Sequence, residues 1–88
     1  MVSLLILKME VIVMEELLRI MSEIRPDVDF ASATKLIDDD ILDSFDIISM
    51  VSEINDTFGI EINVNDLLPE NFNSAEALFA LIQKLQNS

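Results

Sequence analysis

The chain has 88 residues, enough for one small domain around a single core. Acids outnumber Lys and Arg by 17 to 5, and the formal charge of -12 repels nucleic acid and anionic membrane while favouring a basic protein partner. With no Cys and no His, disulfides, thiolate nucleophiles, Cys- or His-based metal sites and Ser–His or Cys–His catalysis are excluded; a single Gly excludes glycine-rich phosphate loops.

Residues 1–13 are the most apolar stretch, with ten apolar residues interrupted by Lys8 and Glu10. The run is too short to span a bilayer and lacks the basic start and cleavage site of a signal peptide, so the chain is read as cytoplasmic with no membrane span. Met14 is taken as the start of the domain proper, 14–88, with 1–13 as an N-terminal apolar extension. The alternative is that those residues lengthen the first helix. From Met14, helical spacing is clear: Met14, Leu17, Leu18, Met21 and Ile24 share one face, with Ile20 as an extra apolar position. Pro26 ends this helix, because Arg25 before it is pushed out of the α region.

Residues 26–42 read as a long loop, held to the core by Phe30, Leu36, Ile37, Ile41 and Leu42. A second helix is predicted from Ser44 to about Phe58, with Asp43 as N-cap, Asp46 near the positive end of its dipole and Gly59 as a left-handed C-cap. Ile60-Glu61-Ile62 reads as a short extended link. Asn65 or Asn63 starts a short helical turn that stops near Pro69. The last helix is predicted to be capped by Asn73, with Glu76 in capping-box spacing and Ala75, Leu78, Phe79, Ile82 and Leu85 as its apolar stripe. The expected fold is all-α: three main helices, one short helix and a long first loop.

The second helix has more apolar residues than one buried stripe holds. Met50, Ile54 and Phe58 are assigned to the core. Phe45, Ile48 and Val51 are assigned partly to an exposed patch beside Ser44, rimmed by Asp43, Asp46, Glu53 and Asp56. Residues 26–88 hold thirteen acids and two bases, a field that steers partners carrying Arg and Lys. The alternative is that all these apolar residues are core and the acids a solvated face. Asp38, Asp39 and Asp40 invite a calcium reading, but an EF-hand frame from Asp38 puts Asp43 where Gly is required and Ser49 where Glu is required. No metal site is expected. Ser44 opens its helix between Asp43 and Asp46, and no side chain near it in sequence is a base stronger than a carboxylate, so any chemistry at its hydroxyl must come from a separate enzyme.

Over Glu15 to Gln86, the run Ile41-Leu42-Asp43-Ser44-Phe45-Asp46, set between a long acidic loop and an apolar helix, resembles the acyl carrier protein family of phosphopantetheine-binding carriers. The Asp-Ser-Phe form resembles the D-alanyl carriers of teichoic acid synthesis more than the carriers of fatty acid and lipid biosynthesis. The resemblance implies a four-helix carrier bundle that is not itself an enzyme. It also implies a covalent 4′-phosphopantetheine, derived from coenzyme A, on Ser44, with Asp43, Phe45 and Asp46 beside it. The arm's thiol would hold an acyl or aminoacyl group as a thioester. The implied partners are a phosphopantetheinyl transferase, an acyl- or aminoacyl-activating ligase and an acyltransferase, each with a basic docking surface meeting Ile48, Val51, Glu53 and Asp56. A cargo pocket is expected among Ile54, Ile60, Ile62, Leu67, Phe72 and Leu78. The bulk of Phe45, Phe58 and Phe72 argues for a small one, suited to a short or polar load. The chain is expected to be monomeric. The competing reading is a non-catalytic acidic helical adaptor that binds a basic partner and carries no prosthetic group.

Overall fold

The computed structural model describes residues 2–87. It contains four α-helices: α1 (Val2–Ile24), α2 (Ser44–Phe58), α3 (Pro69–Phe72) and α4 (Ala75–Gln86), with a short 3-10 helix at Val64–Asp66. Among the described residues there is no strand, so the all-α carrier-type bundle is the observed architecture. α1 packs against α2 and α4, and α3 against α4. No helix among the described residues is long and apolar enough to cross a membrane.

α1 begins at Val2 and runs without a break, so residues 2–13 lengthen the first helix. The two halves pack differently. Leu4 to Leu7, Met9, Val11 and Ile12 are exposed, whereas Leu17, Ile20 and Met21 are fully buried. Ile20 is thus a core residue and not a spare apolar position. The helix stops at Ile24, just before Pro26, and the Arg25 N–H still donates to the Met21 carbonyl (2.9 Å).

The core gathers side chains from all four α-helices, the long loop and the link: Leu17, Ile20 and Met21 from α1, Phe30, Leu36 and Leu42 from the long loop, Met50 and Ile54 from α2, Ile62 from the link, Phe72 from α3, and Ala75, Leu78, Leu81 and Ile82 from α4. Each fully buried Leu or Ile removes enough apolar surface from water to contribute roughly 1.5–3 kcal/mol. Leu81 joins Leu78 and Ile82 on the buried face of α4, while Phe79 and Leu85 pack at its edge.

Of the two starts offered for the short helical turn, the structure takes Asn63, and the turn stops at Asp66, short of Pro69. Asn63 is the cap of the 3-10 helix: its Oδ1 accepts the Asn65 N–H (2.9 Å) and its own N–H donates to Asp66 Oδ2 (3.2 Å). Pro69 does not end a helix but starts one, occupying the first turn of α3, where its missing N–H would have no partner anyway. α4 is capped by Ser74, not Asn73; the extended Ser74 accepts the Ala77 N–H on Oγ (3.0 Å). Asn73 is committed elsewhere. Its Oδ1 accepts the N–H groups of Ile37 (3.0 Å) and Asp38 (3.1 Å), its Nδ2 donates to Asp38 Oδ2 (3.2 Å), and its carbonyl accepts the Leu36 N–H (2.9 Å). One residue at the α3–α4 junction thus holds the middle of the long loop.

Candidate functional site

Ser44 is the first residue of α2, and it is exposed. Its backbone is set by a reciprocal cap. The extended Asp43 (φ -100, ψ 179) accepts the Asp46 N–H on Oδ1 (2.8 Å), and Asp46 Oδ2 accepts the Asp43 N–H (3.2 Å). At the other end of the helix, Gly59 takes the left-handed conformation (φ 63, ψ 37) that an L side chain adopts only at a cost.

A residue the sequence did not single out completes this corner. Arg25, just past α1, donates from Nη1 to Asp46 Oδ2 (2.7 Å) and to the Ile41 carbonyl (2.8 Å). Its Nε and Nη2 form a fork onto the two Asp27 oxygens (3.0 and 2.9 Å). The bonds to Asp27, and then to Asp46, hold the guanidinium above its ordinary range. Arg25 first, and then the backbone N–H of Asp27, hold the Asp27 carboxyl below its own. The side chain of Asp46 is only 14% exposed, so it serves the cap and the Arg25 pair and not the outward acidic rim assigned to it. The signal in the sequence was faint: an Arg directly after a helix that Pro26 must end.

Asp43, Glu53 and Asp56 are exposed. Phe45 at 79% and Ile48 at 68% are the exposed apolar residues of α2, and Ile48 lies one helical turn beyond Ser44 on the same face. Val51, assigned with them, is half-buried and packs on the core, as do Ile47 and Phe58. Val64, Leu67 and Leu68 add exposed apolar surface after the link.

Among the described residues, the six expected to form one cargo pocket are spread between a cleft, a groove and the core. Leu67 and Phe72 line a cleft of about 90 Å³ with Ile37, Ile47, Leu68 and Pro69. Ile54, Ile62 and Leu78 are buried in the core. Ile60 lines a separate open groove of about 1080 Å³, where Ile6, Met9 and Val13 of α1 face Phe58 and Gly59 at the far end of α2. Among the described residues, no group of three or more acidic side chains is arranged to hold a metal ion.

The sequence profile of the phosphopantetheine attachment site family matches residues 12–82, and the chain belongs to that family. A comparison with curated proteins finds no match. Membership indicates a carrier role and a covalently attached 4′-phosphopantetheine. The residues present suit such a group. The exposed Ser44 hydroxyl stands on a rigidly capped first turn, flanked by exposed Phe45 and Ile48. When bound, the group supplies the thiol that neither Cys nor any other side chain of this chain provides.

Proposed function

We propose that Ser44 bears the phosphopantetheine arm and that the chain shuttles a thioester-bound acyl or aminoacyl group between partner enzymes without catalysing a reaction itself. The observation that carries this reading is the exposed Ser44 hydroxyl on the first turn of α2, inside the matched region, with no His anywhere in the chain to activate it. The chain's part is to present that hydroxyl in a fixed frame; the proton on Oγ leaves to a base supplied by the modifying enzyme. Exposed Asp43, Glu53 and Asp56 around Phe45 and Ile48 support docking of transferases, ligases and acyltransferases with Arg- and Lys-bearing surfaces. Residues 14–88 are the carrier domain in this reading, and the cysteine-free composition suits the cytoplasm. A short or polar load is part of this reading: the cleft lined by Leu67 and Phe72, about 90 Å³, is smaller than a cavity admitting benzene, roughly 150 Å³, and the groove of about 1080 Å³ lies at the end of α2 away from Ser44.

The test is intact-mass analysis after incubation with coenzyme A, magnesium and a broad-specificity phosphopantetheinyl transferase. The wild type is expected to gain one arm, at Ser44. Ser44→Ala is expected to stay folded and gain none. An unmodified wild type, or a modified Ser44→Ala variant, rejects the assignment and favours an adaptor without a prosthetic group.

A further inference from the structure

Ser44 follows a stretch of irregular backbone. Between the buried Leu36 and the start of α2 lie Asp38, Asp39 and Asp40, all exposed, with Asp40 in the left-handed region (φ 55). Local bonds hold part of this approach: the N–H groups of Ile41 and Leu42 both donate to the Leu36 carbonyl (2.9 and 3.0 Å). The Asp43–Asp46 cap fixes the first turn of α2 internally, but a cap alone does not fix where that turn points relative to the rest of the bundle. The side chain that spans both parts is Arg25. One guanidinium nitrogen, Nη1, bonds a residue three positions before Ser44 (the Ile41 carbonyl) and a residue two positions after it (Asp46 Oδ2). The other face of the fork is anchored on Asp27, so the guanidinium is held from behind. Its side chain is 27% exposed, which leaves it less screened than the surface Arg19–Glu23 pair of α1.

We propose that Arg25 is a positioning residue for modification of Ser44: it ties the end of α1 to both sides of the serine and so fixes the angle at which the hydroxyl meets the modifying enzyme. The proposal deepens the reading of Ser44 as the attachment residue and rests on it. Arg25 also balances Asp46, so that a phosphate arriving on Ser44 does not meet two uncompensated carboxylates. Positioning acts on the chemical step, because a displacement of about 1 Å at a reacting atom can cost up to 10²-fold in rate. Docking, by contrast, depends on the acidic face. Arg25→Gln makes that face more acidic and does not remove any of its acids.

The kinetic signature follows from that separation. In transferase assays with the full chain and coenzyme A, Arg25→Gln is expected to lower kcat about tenfold or more, with KM for the carrier unchanged or lower. Arg25→Lys restores the charge but not the fork, so it is expected to recover only part of kcat. Because Asp46 is one of the two contacts through which Arg25 reaches the serine, the effects of Arg25→Gln and Asp46→Ala on kcat are expected to combine to less than their product. A merely structural role would lower the melting temperature and leave kcat intact at a temperature where the variant is folded. The proposal is overturned if folded Arg25→Gln turns over within about twofold of wild type, or if the two substitutions multiply. If Arg25→Gln is unfolded at the assay temperature, Asp46→Ala decides alone: a wild-type kcat there overturns the proposal. Failure of the wild type to take up the arm at Ser44 would instead remove the attachment reading, and this inference with it.

Discussion

Ile48 and Ile54 lie six residues apart on α2 and on different faces, Ile48 68% exposed and Ile54 fully buried. Truncating Ile54 to Ala leaves a cavity in the core it shares with Leu17, Met50, Leu78 and Ile82, at a cost of about 2–5 kcal/mol. An 88-residue domain holds roughly 4–13 kcal/mol in total, so Ile54→Ala removes a large share of it. The milder Ile54→Val, costing about 1 kcal/mol, should lower Tm by about 4–8 °C. Ile48→Ala should change stability by less than about 0.5 kcal/mol, because most of that side chain is already in water. Its effect should appear in the transferase assay instead. Loss of about 1 kcal/mol of apolar docking would raise KM roughly fivefold with little change in kcat. Thermal melting by circular dichroism, paired with carrier-concentration dependence of modification, reads both quantities on the same samples. The reasoning is refuted if Ile48→Ala melts as low as Ile54→Val, or if it melts like wild type and is modified with an unchanged KM.

Gly59→Ala should cost about 1–2 kcal/mol, read as a lower urea midpoint at constant m: an added Cβ meets nothing within 4 Å, so the penalty is the left-handed backbone alone, and Gly59→Asn should cost less than Ala. The Asp27 carboxyl is held below its ordinary value by Arg25, so the stability it lends is present above about pH 4 and is lost as the pH falls through the lowered folded value. Wild type and Asp27→Asn should therefore differ at neutral pH and converge in acid, in parallel urea titrations at each pH. A chain beginning at Met14 should fold and be modified at the wild-type rate, because residues 4–7, 9, 11 and 12 are exposed; loss of the cooperative melting transition would instead make residues 2–13 part of the folding unit.

The helices that carry strong local signals were legible from the residues alone. Asp43, Asp46 and Gly59 bound α2, Pro26 ends α1, and the match between these and the observed bounds reflects capping chemistry decided within three or four residues. What the residue order did not reveal was decided by partners distant in the chain. Asn73 has the composition of a helix cap, but its carboxamide is taken by the amides of Ile37 and Asp38, so Ser74 caps α4 in its place. Asp46 has the pattern of a surface acid near a helix start, yet Arg25, 21 residues earlier, draws it inward. Pro69 is ambiguous by nature, a stop for the preceding turn and a good first residue for the next. The apolar residues grouped as a pocket share no local pattern that separates a lining side chain from a core one, and the structure divides them between a small cleft, the core and the groove at the other end of α2.

The fastening on Asn73 changes how the long loop can come undone. The amides of three consecutive residues, Leu36, Ile37 and Asp38, all find their acceptors on that one residue, and the first of the three is also seated in the core. Fraying from one end, bond by bond, is therefore not available to this segment. When the Asn73 side chain turns away, the Ile37 and Asp38 protons lose their acceptor together; the Leu36 proton is released only when the Asn73 backbone moves as well. In hydrogen exchange the three amides should open with the displacement of one residue, side chain and backbone, and not according to the length of the connection. The approach to Ser44 is thereby coupled to a junction near the other end of the chain: whatever loosens α3 against α4 also loosens the backbone that leads into α2.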